Sequence, residues 1–178
     1  MPLELSLVRL CSLAARRLCC GHRGPYWNVP TGRRDGRTSN ASKPWQNIPP
    51  PTSNFSSLQK SFANKGLDLK DLVLLSANLK AKKCRSINDN TTIVEMDPGS
   101  SSKFDLSYFQ LVLKRKGLFQ SDAALTTSAT TKSYINQLVQ GSLKQFYAEF
   151  GQAMEKMGRI EVKTGSSEIR KHCAAVNS

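Results

Sequence analysis

Two histidines, His22 and His172, and five cysteines, Cys11, Cys19, Cys20, Cys84 and Cys173, are the residues of this 178-residue sequence whose chemistry suits metal binding or covalent cross-linking. Their spacing argues against the commonest uses. No C-x-x-C pair occurs, and Cys19-Cys20-Gly21-His22 offers too few ligands with no second half elsewhere, so neither a zinc site nor a thioredoxin-type motif has support. Each histidine reads as an ordinary surface residue. Three Asn-x-Ser/Thr sequons, at Asn40, Asn54 and Asn90, are of the kind used on surface loops of secreted proteins.

The elements that must position these residues are helical. Residues 24–51, GPYWNVPTGRRDGRTSNASKPWQNIPPP, are dense in Gly, Pro, Asn and Ser and predict a loop-rich connection with a short strand or two. A helix begins near Thr52–Asn54, carries Phe55, Leu58 and Phe62 at helical spacing, and stops at Lys65-Gly66. Asp68 caps a second helix running through Leu72 and Leu75 to Leu79, with Lys80, Lys82 and Lys83 complementing its C-terminal dipole. Residues 84–102 are irregular and polar. A helix over Phe104–Arg115 ends at Gly117, and one long helix spans Ser128–Met157 with Tyr134, Leu138, Phe146, Phe150, Met154 and Met157 as its apolar stripe. That stripe is core packing, with the methionines as gap-fillers rather than ligands. The tail from Arg159 is a loop or short strand.

Composition sets further bounds. One domain with a real core is expected from this length, with 39% hydrophobic residues and a mean hydropathy of −0.40. No run approaches the roughly 18 apolar residues of a membrane-spanning helix. Lys and Arg number 26 against 13 Asp and Glu, a net charge of +13, which favours polyanionic partners such as nucleic acid, anionic lipid or cell-wall pectin. The cations are scattered and not interleaved with aromatics, so a specific nucleic-acid surface is not expected. Residues 1–23 differ in texture, with four arginines against Glu4; removing those three net charges leaves the rest at +10. A secretory signal needs about 7–15 uninterrupted apolar residues, and Arg9 breaks the only candidate run, while an acid-poor, Arg-containing amphipathic segment also resembles a mitochondrial presequence. A leader that encodes nothing is the competing reading.

Four runs carry a family resemblance: GPYWNVPTGRRDGR at 24–37, NIPPPTSNFSSLQKSFANKGLDLKDLVLLS at 47–76, DPGSSSKFDLSYFQLVLKRKGLFQSDAAL at 97–125 and EIRKHCAAVNS at 168–178. They resemble the class III secretory plant peroxidases in register and in order. The resemblance implies an all-α fold, here a partial haem-peroxidase fold corresponding to the C-terminal, proximal half and incomplete. It also implies haem b, calcium, disulfides and glycans in a secreted or vacuolar protein that oxidises phenolic donors with hydrogen peroxide. On this reading residues 1–23 are an unmatched leader and 24–178 a partial peroxidase domain.

The departures bear on chemistry. Intact members carry an N-terminal half with a distal arginine and histidine. They also continue from KDLVLLS directly into Gly-Ala-His-Thr, whose histidine is the proximal iron ligand; here Ser76 is followed by ANLKAKKC, so a segment is skipped between Ser76 and Ala77. Asp122 matches the carboxylate partner of that histidine, with a helix-capping role as the bland alternative. Asp97, Ser100 and Asp105, with the carbonyl of Lys103, match calcium ligands, and Pro49 matches a proline beside the aromatic donor. Cys84 and Cys173 match disulfide cysteines whose partners lie in the skipped segment and the N-terminal half. The glycine usual before Glu168 is absent. The resulting expectation is a chain without peroxidase turnover of its own, and the alternative is a basic, non-catalytic module for pectin or nucleic acid. Lost packing partners for Phe146, Phe150 and Met154 predict a loose chain.

Overall fold

A computed structural model describes residues 7–21, 23–30, 33–38, 40, 42–76, 103–117, 119–165, 167–171 and 176–177. Its elements are eight helices, and no extended strand occurs among the described residues, in line with an all-α fold. In chain order they are α1 (Leu7–Gly21), α2 (Ser42–Asn47), α3 (Phe55–Ala63), α4 (Leu69–Leu75), α5 (Ser107–Leu113), α6 (Gln120–Ala124), α7 (Ala129–Gln140) and α8 (Leu143–Gly158).

Local chemistry explains the boundaries of α3 and α4. Asn54 Oδ1 accepts the Ser57 amide at 2.9 Å to start α3, and Gly66, at φ 73, lets the chain leave it. Asp68 Oδ1 accepts the amides of Lys70 and Asp71, and Asp71 Oδ2 accepts the Asp68 amide in return, a reciprocal cap that fixes the first turn of α4. The helix closes at Leu75, not near Leu79: the Ser76 amide and hydroxyl both donate to the Leu72 carbonyl. Residues 77–102 lie outside the described residues, as do the expected basic end of that helix and Asn90.

Three expectations are corrected. The single helix over 128–157 is two, because Gly141 is extended (φ −80, ψ −171) and Ser142 Oγ accepts the Gln145 amide as the N-cap of α8. The helix expected over Phe104–Arg115 runs only from Ser107 to Leu113, with Arg115 at φ 55; the Arg115 amide donates to Val112 and the Lys116 amide to Leu111, the pairing of a Schellman cap. Among the described residues the strands expected in the loop and the tail reduce to one antiparallel bridge, Asp35 to Glu168, with bonds of 2.7 and 3.2 Å.

The core is continuous and aromatic at its centre. Phe146, 1% exposed, stacks on Phe104 with centroids 5.4 Å apart, and Phe109, Phe150 and Trp27 extend the cluster edge-on. Phe146 and Phe150 therefore find partners within this chain, against the expectation of bare apolar faces. Leu72, Val73, Val112, Leu125 and Ile135 complete the centre where α4 packs on α7 and α8, and α5 on α7. Cys19 packs against this core from α1, and Arg16 lies over the Tyr26 ring at 4.4 Å while donating to its hydroxyl and to the Trp27 carbonyl. Helix α1 is thus built into the fold.

Candidate functional site

Asp122 is buried, 4% exposed, in the first turn of α6. Its Oδ2 accepts the Phe119 amide at 2.9 Å, the capping role, and its Oδ1 accepts the Tyr108 hydroxyl of α5 at 3.3 Å. Gly117 passes so close that a Cβ there would meet Asp122 Cβ at 2.8 Å. The turn is also tied to the proline loop, since the Ser121 amide donates to the Pro51 carbonyl at 3.0 Å. Asp122 and the loop carrying Pro49 are thereby neighbours, while Pro49 itself lines a cavity beside α3, α4 and the end of α8.

Of the expected calcium ligands, Asp97 and Ser100 lie outside the described residues. Lys103 is exposed, and Asp105 Oδ1 accepts the Ser107 amide at 2.8 Å at the start of α5. The Tyr147 hydroxyl reaches the carbonyls of Phe104 (2.6 Å) and Arg23 (2.8 Å), pinning this loop and the end of α1 to α8. Burial first, then the charge of Asp105, pushes the Tyr147 phenol up. Sequence reasoning missed Tyr147, because it stands one residue off the apolar stripe marked by Phe146.

His22, His172, Cys84 and Cys173 fall outside the described residues. At the end of α1, Cys19 and Cys20 are free thiols; burial and the neighbouring Cys20 push Cys19 up to about 11, the opposite of a reactive or metal-ready thiol. No group of three or more His, Cys, Asp and Glu side chains able to hold a metal occurs among the described residues. The carboxylate at Asp122 is engaged by an amide and a phenol, and no histidine stands among the described residues.

A further charged contact, not legible in the sequence, holds the first turn of α4. Lys156 of α8 donates to Asp71 Oδ2 at 3.0 Å and to Asp68 Oδ2 at 3.2 Å. Asp71 is buried and Lys156 half exposed. Lys156 is raised, by the Asp71 carboxylate foremost. For Asp68, burial is the largest influence and acts upward, but the Asp71 amide, Lys156 and the Lys70 amide together hold it below the usual carboxylate range. Asp68 was legible as a cap, but nothing local announced a lysine 85 residues beyond Asp71.

Comparison with known proteins gives a consistent family. A family model described as Peroxidase matches residues 2–79 and 76–141. The chain is 52% identical to Peroxidase 3 of Arabidopsis thaliana over 213 aligned positions, covering 99% of this chain and 65% of that protein. Peroxidase 30 of the same plant is 50% identical over the same share of each, and Peroxidase 1 of Oryza sativa subsp. japonica 43%, over 99% of this chain and 66% of its own length. The chain thus spans a little under two thirds of these relatives, and 213 aligned positions exceed its 178 residues, so the alignment opens gaps within it. The two family matches overlap at residues 76–79, after the last residue of α4, and the first includes residues 2–23.

Proposed function

This chain belongs to the plant secretory peroxidase family, and on that premise we propose that it carries the family's all-α proximal scaffold without peroxide turnover of its own. The observation that carries this reading is the family match breaking at residues 76–79, where the resemblance expects the proximal histidine to follow α4. Peroxide cleavage needs an iron held by an imidazole that a carboxylate makes electron-rich, together with a base and a cation for the departing oxygen. Haem b would supply the iron chemistry in intact relatives, which are read as secreted, glycosylated, calcium-dependent oxidants of phenolic donors. In this chain Asp122 caps α6 and holds Tyr108, so it orients backbone and phenol rather than a ligand. Residual calcium binding through Asp97, Ser100, Lys103 and Asp105 is proposed as weak, at about 10⁻⁴–10⁻³ M or poorer.

The test mixes the purified chain with haemin, hydrogen peroxide and a phenolic donor, beside free haemin. The expected result is a broad Soret band and slow, unsaturable oxidation, unchanged in Asp122→Asn. A sharp Soret band and a rate far above haemin that Asp122→Asn lowers would overturn the reading.

The net charge of +13 favours a second reading, a non-catalytic surface for polyanionic cell-wall polysaccharide. Lys114, Arg115 and Lys116 stand exposed in a row after α5. Binding to polygalacturonate that falls steeply as salt rises supports it; no retention at low salt removes it.

A further inference from the structure

A cavity of about 440 Å³ opens where the proline loop, the α3–α4 pair and the end of α8 meet, within the size range that holds small organic ligands. Its walls are largely apolar, with Phe62 from α3, Leu67 and Leu75 around α4, and Met157 from α8. Two apolar side chains of the lining stand in solvent, Ile48 at 67% exposed and Met157 at 40%. The lining also contains a cation. Lys65, mostly buried, turns its ammonium to the carboxylate of Glu161, itself 71% exposed. Glu161 occupies the left-handed region at φ 47, where a side chain other than glycine is strained. Lys65 foremost, and then Lys163 and Lys43, hold the Glu161 carboxyl below its ordinary range. One ammonium, that of Lys65, therefore lines this end of the apolar cavity, and its carboxylate partner is a solvent-exposed side chain that can be displaced.

We propose that this cavity binds a medium-chain aliphatic monocarboxylate, its tail among Phe62, Leu67 and Leu75 and its carboxylate on Lys65 in place of Glu161. An alkyl tail suits walls that are mainly aliphatic, and one negative head group matches the single ammonium of Lys65. A cationic amphiphile of equal length meets the same walls and the wrong field. Glu161 acts as the occupant of Lys65 when no ligand is present, so it competes with the ligand. Pro49, which the resemblance places beside the aromatic donor, lines the same cavity, while Asp122 does not.

Calorimetric titration of the full chain with decanoate, below its micelle concentration, tests the assignment. One-to-one saturable binding is expected, weaker for octanoate by about tenfold because two methylenes are lost, and absent for decyltrimethylammonium. Lys65→Met should weaken decanoate about tenfold. Glu161→Gln, at a solvent-exposed carboxylate, should tighten it about threefold or more, while Glu155→Gln on α8 leaves it within about twofold. Because Glu161→Gln acts in the opposite direction to damage, it remains decisive if Lys65→Met does not fold. No binding, equal binding of the cationic amphiphile, or a Glu161→Gln variant that binds no tighter would each overturn the proposal.

Discussion

Arg115 holds φ 55 because the Schellman cap of α5 needs a left-handed residue one place past Lys114, and the glycine of this turn, Gly117, stands two residues too late to supply it. An L side chain in that conformation costs about 1–2 kcal/mol, partly offset by the freedom glycine loses on folding. Arg115→Gly should therefore raise unfolding stability by up to about 1 kcal/mol, read from the shift of a urea midpoint at unchanged slope. Asp122 teaches the complementary lesson. Its identity and place in GLFQSD were legible, and so was its capping alternative, but Tyr108 as its second partner lies 14 residues away on another helix and left no local mark.

At the scale of elements, α3 and α4 were legible because the residues that start them, Asn54 and Asp68, act on amides two and three places ahead. The break between α7 and α8 was not, since Tyr134, Leu138, Phe146, Phe150 and Met154 recur at multiples of four and keep one apolar face across it. Periodicity reports which face is buried; Gly141 and Ser142 decide where the backbone bonds stop. The Lys156 clamp makes α4 depend on α8. Lys156→Met leaves the buried Asp71 carboxylate without its ammonium and should cost about 1–3 kcal/mol. The pH dependence follows from the directions of shift. Asp68 is lowered in the fold, so its contribution is present above the unfolded carboxylate value of about 4 and fades as pH falls through the lower folded value. Lys156 is raised, so its contribution is present below about 10.4 and is lost as pH climbs through the higher folded value. Melting curves from pH 3 to 11 should show both flanks in the native chain and a flatter acid flank in Lys156→Met.

Across the whole molecule, the aromatic cluster around Phe146 closes the core with side chains drawn from 27 to 150, so that residues far apart in sequence are mutually buried. The outermost of these long connections is the Asp35–Glu168 bridge. Asp35 Oδ2 also accepts the Arg170 amide at 3.0 Å, Arg170 reaches the Gly36 carbonyl at 2.6 Å, and Arg34 meets the Ser167 carbonyl 133 residues along the chain. Contacts of such separation form after the transition state, so Asp35→Asn should speed unfolding while leaving the refolding rate unchanged, as stopped-flow chevrons would show. A φ-value above about 0.5 at this position contradicts that order of events. The bridge also makes the chain a ring whose circumference runs through the junction after Ser76. Closing a ring costs entropy only as the logarithm of its length, about 0.6 kcal/mol per doubling, so lengthening this one by a few dozen residues changes the cost by about 0.2–0.3 kcal/mol. The clasp is therefore nearly indifferent to how much polypeptide lies between its halves, and segments can be gained or lost at the end of α4 without loosening the seam that joins the loop at Arg34 to the tail at Arg170.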